Sequence, residues 1–152
     1  MKQIFFPLKK INLYIFFIFF SSGLLHAQSK NESTVPGQDQ LISISLTHQS
    51  LFEQTGLTTD DISTFHILDH GVDLDFTSGL SIDNKPVVLI DKSDIAGLNG
   101  APYFMFHTLN LEGTTAYARI YMTYDDSNET KTSNVDIPFI YNSGQWRISN
   151  NQ

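Results

Sequence analysis

YFMFHTLNLEGTTAYARIYMTYDDSNETKTSNVDIPFIYNSGQWRI, residues 103–148, is the stretch that decides the fold. Its long runs alternate apolar and polar residues, and on extended backbone such alternation puts each set on one face. Tyr103 to Leu111 forms the first expected strand, with Tyr103, Met105, His107 and Leu109 sharing a face, and Glu112-Gly113 turns it. Thr115 to Tyr124 forms the second: Ala116, Ala118, Ile120, Met122 and Tyr124 share one side, and Tyr117, Arg119 and Tyr121 take the other. A polar loop, Asp125 to Thr132, leads to a third strand whose Val135, Ile137, Phe139 and Tyr141 line the core face. Asn142-Ser143-Gly144 closes a last hairpin that returns through Trp146 and Ile148. The four segments predict an antiparallel meander. Pro138 has no N–H to donate, which places its strand at a sheet edge or a bulge.

Working back toward the N-terminus, Asp91-Lys92-Ser93-Asp94 predicts the cap of a short helix that Gly97 ends. Asp83-Asn84-Lys85-Pro86 predicts a turn into the buried run Val87 to Ile90. Strands are expected around Thr64 to Leu68 and around Val72 to Phe76, where Val72, Leu74 and Phe76 alternate with Asp73 and Asp75. Thr58-Thr59-Asp60-Asp61 reads as a turn or helix start, its hydroxyls and carboxylates being acceptors for free backbone N–H groups. Leu41 to Phe52 carries both a strand alternation and a helical stripe, and its length and the Gly56 stop favour helix. The expected class is therefore α+β, one or two helices packed on a curved antiparallel sheet.

The run Phe104 to Ile148, with its closing Gly144-Gln145-Trp146-Arg147-Ile148 step, resembles the C-terminal strands of small secreted domains of the cystatin-like and NTF2-like kind. The resemblance implies a helix on a curved antiparallel sheet. It leaves activity open, because such families range from enzymes to binding modules. The His-Asp acid/base pair of some enzymatic members has no matching motif here. The N-terminal region is also shorter than the multi-helix half of a full NTF2-like domain.

Residues 1–27 have the order of a secretory signal peptide: Lys2, Lys9 and Lys10, then the apolar block Ile11 to Phe20, then small residues up to Ala27. Cleavage is expected after Ala27, with Ser29 as the alternative. An uncleaved membrane anchor would need roughly 20 apolar residues, and Asn12 and Ser21-Ser22 interrupt this run. Residues 28–38 read as a flexible leader and 39–152 as a single domain, periplasmic or extracellular. Removing the signal takes three of the nine Lys and Arg and none of the sixteen Asp and Glu, leaving a net charge of about −10. Such a surface disfavours phosphate backbones, and so nucleic acid, and equally an anionic membrane surface once the signal is gone. The chain has no cysteine, which excludes thiol chemistry, thiolate metal sites and the lipid attachment used by bacterial lipoproteins, and leaves burial alone to hold an exported domain together.

Several constellations are candidates for chemistry. His66, Asp69 and His70 form the tightest group of metal-ligand types, weighed against two ordinary turn histidines. Asp69, Asp73 and Asp75 miss the spacing of a calcium loop and fit the wet face of a half-buried strand. Asp125, Asp126, Asn128 and Glu129 sit together in the long hairpin loop, and Asn31-Glu32-Ser33 and Asn128-Glu129-Thr130 match a glycosylation acceptor pattern. Neither a nucleophile elbow nor a phosphate-cradling glycine loop occurs, and no cofactor is expected. Tyr117, Arg119 and Tyr121 have the composition of a recognition patch, or, more plainly, of cross-strand packing with an Arg119 to Asp136 ion pair. The leading expectation is a non-catalytic exported domain that binds a protein, peptide or glycan. The alternatives are a small hydrolase or isomerase with His107 or His66 in a pocket between helix and concave sheet, and a metal-binding envelope protein.

Overall fold

The computed structural model describes residues 37–127 and 129–149. The expected signal peptide, residues 28–36 of the leader, the Asn31-Glu32-Ser33 pattern and Asn128 lie outside the described residues. The ambiguous segment is helical, in two pieces: α1 (Gln38–Leu46) and α2 (Gln49–Phe52). The break falls at His48, whose backbone is extended and whose Nδ1 accepts the Ser50 N–H at 3.2 Å, restarting the helix as an N-cap does. The two helices supply Leu41, Ile42, Leu46, Leu51 and Phe52 to the core.

Seven strands follow: β1 (Phe65–Leu68), β2 (Ser81–Ile82), β3 (Lys85–Ile90), β4 (Tyr103–Glu112), β5 (Thr115–Asp126), β6 (Glu129–Asn142) and β7 (Gln145–Ile148). They form one sheet in the order β2-β3-β1-β4-β5-β6-β7. The expected meander is its β4 to β7 half, antiparallel throughout. The sheet is larger than expected and mixed, because β1 lies between β3 and β4 and runs parallel to both. The result is an α+β fold with a curled half-barrel sheet. Among the described residues no helix is long and apolar enough to cross a membrane.

The helices cover the inner face, α1 against β5 and β7 and α2 against β6. Between them and the sheet the space is filled: Phe65, Phe104, Phe106, Ile120, Ile137 and Trp146 are essentially without solvent contact. Each such side chain contributes roughly 1.5–3 kcal/mol through burial.

The expected polar loop Asp125 to Thr132 is strand on both sides of a short turn, with Asp125 paired to Thr130 and Thr123 to Thr132. Four further expectations need correction. Val72, Leu74 and Phe76 do pack against the core, yet Val72 to Phe76 is not a strand. Its backbone is held by side chains instead: Gln38 Oε1 accepts the Asp75 N–H at 3.0 Å, and Asp39 Oδ1 accepts the Thr77 N–H at 2.8 Å. In β3 only Val87 and Ile90 are buried, and Val88 and Leu89 are exposed. Pro138 is not on an edge strand, since β7 pairs outside β6. It sits where that pairing ends, its carbonyl accepting the Ser149 N–H at 2.8 Å, so the missing N–H costs no ladder bond.

The last correction concerns His107. The β4–β5 register runs Phe106↔Ile120 and then Thr108↔Arg119, so a bulge leaves His107 without an opposite residue. The alternation therefore changes phase inside the strand. Phe104 and Phe106 point inward before the bulge and Leu109 after it, and His107 is exposed on the outer face.

Candidate functional site

The face turned away from the helices gathers the side chains the sequence singled out. Along β5, Tyr117, Arg119 and Tyr121 alternate with the buried Ala116, Ala118, Ile120 and Met122. The ladders set Met105 opposite Tyr121, and Asp136 opposite Arg119. The His107 ring lies 6.1 Å from that of Tyr121, between centroids. Ile140 is 43% exposed on the same side of β6.

Asp136 organises the middle of this face. Its Oδ1 accepts from Arg119 Nε at 2.6 Å and from the Tyr117 hydroxyl at 2.7 Å, and its Oδ2 accepts from Arg119 Nη2 at 2.9 Å. This is a two-pronged guanidinium–carboxylate pair with a phenol attached, a geometry in which direction is fixed as well as charge. The hydrogen bonds from Arg119 and Tyr117 hold the Asp136 carboxyl down to about 2. The same bond raises Tyr117 above its ordinary value. Arg119 thus presents a fixed, neutralised plane between two tyrosines. A groove of about 350 Å³ opens beside it, lined by His48, Ser50, Val135, Asp136, Pro138 and Ile148.

The remaining candidates are dispersed. His66 stands on β1 with a buried Nδ1 that has no hydrogen-bond partner among the described residues. Burial lowers its pKa. Asp69 uses Oδ1 to accept the Gly71 N–H at 3.3 Å, closing a turn that leaves His70 exposed. The structure does not assemble His66, Asp69 and His70, and no group of three or more metal-ligating side chains occurs among the described residues. His107 has its Nδ1 3.2 Å from Thr108 Oγ1 and takes no part in the filled space beneath the helices. Asp126 pairs with Lys131, and Asp125 Oδ1 accepts from the Thr130 hydroxyl at 2.9 Å, so two of the loop acids brace the β5–β6 turn.

Sequence reasoning missed Tyr103 and Met105 as members of the outer face. Their strand reads as one unbroken alternation, and only the bulge at His107 reveals which half faces inward. No protein family, curated protein or solved structure matches the chain.

Proposed function

We propose that the chain is an exported, non-catalytic binding domain whose outer sheet face takes up a protein, peptide or glycan partner. The carrying observation is the placement of Tyr117, Arg119 and Tyr121 together on the face opposite the helices, with the guanidinium pinned by Asp136. Rigid aromatic side chains around a fixed polar centre lose little conformational freedom on binding, which is why such patches dominate recognition energetics. Export rests on the Lys-apolar-small order of residues 1–27. The helices on a curled sheet, closed by the Gly144 to Ile148 hairpin, support kinship with cystatin-like and NTF2-like domains, and the parallel β3-β1-β4 set is a departure from it.

Replacing Tyr117, Arg119 and Tyr121 together by alanine tests the face. A partner captured by the wild-type chain in a pull-down should be lost, and the thermal melt should stay close to that of the wild type. Undiminished capture by the triple variant refutes the assignment.

A further inference from the structure

We propose that a cleft at one end of the β4–β5–β6 ladder binds a primary ammonium group carried on a short apolar stem. This site shares no residue with the Tyr117, Arg119 and Tyr121 patch and does not rest on that patch being used. The cleft holds about 330 Å³, within the range of small-molecule sites. Its lining includes Ile95 and Leu98 of a 3-10 turn, Ala101 and Tyr103, and Asp125 and Thr130.

Among the described residues, Asp125 is the one charged side chain in that lining. Its Oδ1 is already taken by the Thr130 hydroxyl at 2.9 Å, and among the described residues its Oδ2 accepts nothing. The free oxygen lies against the backbone of Gly100, where no side chain crowds it. A Cβ there would stand 3.0 Å from Oδ2, and the φ of +84° is one that other residues rarely adopt. The lining thus offers, among the described residues, a single anionic acceptor together with tyrosine and aliphatic side chains.

That combination selects among ligands. An anion is repelled. A guanidinium prefers both oxygens of a carboxylate in a two-pronged bond, and here it would have to share Oδ1 with the Thr130 hydroxyl. An ammonium needs only one strong acceptor, gains further from a tyrosine face, and its methylenes cover the Ile95, Leu98 and Ala101 side chains. The excess of acidic residues over the whole chain adds attraction at long range. Such a group reaches the cleft either as a free alkylamine or as the lysine side chain of another protein.

The test is a titration of the isotope-labelled protein by NMR with n-butylammonium, 1-butanol and butyrate at constant ionic strength. Butylammonium should give saturable shifts at Gly100, Ala101, Tyr103 and Asp125, with butanol at least about tenfold weaker and butyrate silent. Asp125→Asn should weaken butylammonium binding by about tenfold or more at an unchanged melt. Thr130→Val, which frees Oδ1 and keeps the charge, should still bind. An acetylated, amidated Gly-Lys-Gly peptide separates the sources: tighter binding than butylammonium identifies a protein lysine, and equal or weaker binding identifies a free amine. Equal affinity for butanol and butylammonium, no saturable shift, or an Asp125→Asn variant that binds as well as wild type overturns the proposal.

Discussion

Asp136 receives three hydrogen bonds on two oxygens, and the energetic meaning of that arrangement is read most directly from its proton. The folded-state pKa of about 2 lies below the value of roughly 3.9 for a carboxyl in an unfolded chain. The interaction therefore stabilises the fold fully above about pH 4, and the contribution is lost as pH falls through the folded value. Both partners are exposed, so solvent screening keeps the effect on the melt small. A carboxylate-detected NMR titration should give a midpoint near 2 in the wild type. In Arg119→Gln, which removes the largest cause of the shift, the midpoint should return most of the way to the ordinary carboxylate range. A midpoint unmoved by that substitution would show that the pair does not persist in solution. The pair was legible in the sequence because it follows from register alone. Once the β5 and β6 alternations are fixed, the short Asp126 to Glu129 turn brings Arg119 opposite Asp136. The Tyr117 hydroxyl bond was not legible, since Tyr117 lies opposite Pro138 and reaches Asp136 only diagonally.

At the scale of elements, the patterns that survived were those whose hydrogen bonds stay close in sequence. The turns joining β4 to β7 are two residues long, and β5 and β6 keep their inward set at every second position, so the alternation determined them; β4 keeps it only on either side of its bulge. The turn between β2 and β3 works the same way, with Asp83 and Asn84 both at positive φ, a conformation these residue types tolerate. What failed depended on distant partners. Val72 to Phe76 has strand alternation, but α1 side chains hold it, Gln38 bonding the Asp75 N–H and the Asp73 carbonyl and Asp39 the Thr77 N–H just beyond, and β1 owes its place to two parallel neighbours that no local signal names. The bulge in β4 makes the phase argument testable. Deleting His107 should give a regular strand in which Phe104, Phe106 and Leu109 all still face inward, so the variant should fold with near-wild-type far-UV circular dichroism and a cooperative melt. Deleting Met105 puts Phe104 and Phe106 in adjacent positions, which sends one of them outward, and that variant should lose its cooperative melt. If both deletions are tolerated equally, the bulge is not what sets the register.

Across the described residues, β7 closes on α1. The Trp146 N–H donates to Gln40 Oε1 at 2.9 Å across 106 residues of sequence, and the Ser133 hydroxyl donates to the Leu51 carbonyl at 2.8 Å across 82. The indole of Trp146 is 2% exposed, and its ring lies 5.3 Å from that of Tyr141. β7 itself has only four residues. It would contribute little as an isolated edge, so its weight in the fold comes from carrying this one side chain into the seat of α1. With no disulfide available, helix, meander and final hairpin depend on one shared core. Trp146→Ala should therefore act globally. The loss of a large aromatic from a filled core costs about 3–5 kcal/mol, against a total stability of about 5–15 kcal/mol for a domain of ordinary size. A loss of that size should lower the thermal midpoint by about 10 °C or more. Helix and sheet signals in circular dichroism should fall together, because α1 loses the surface it rests on at the same moment that β7 loses its anchor. If the variant instead keeps the wild-type midpoint and only the amides of β7 gain hydrogen exchange, the hairpin is an appendage, and the β4–β5–β6 ladder holds the helices without it.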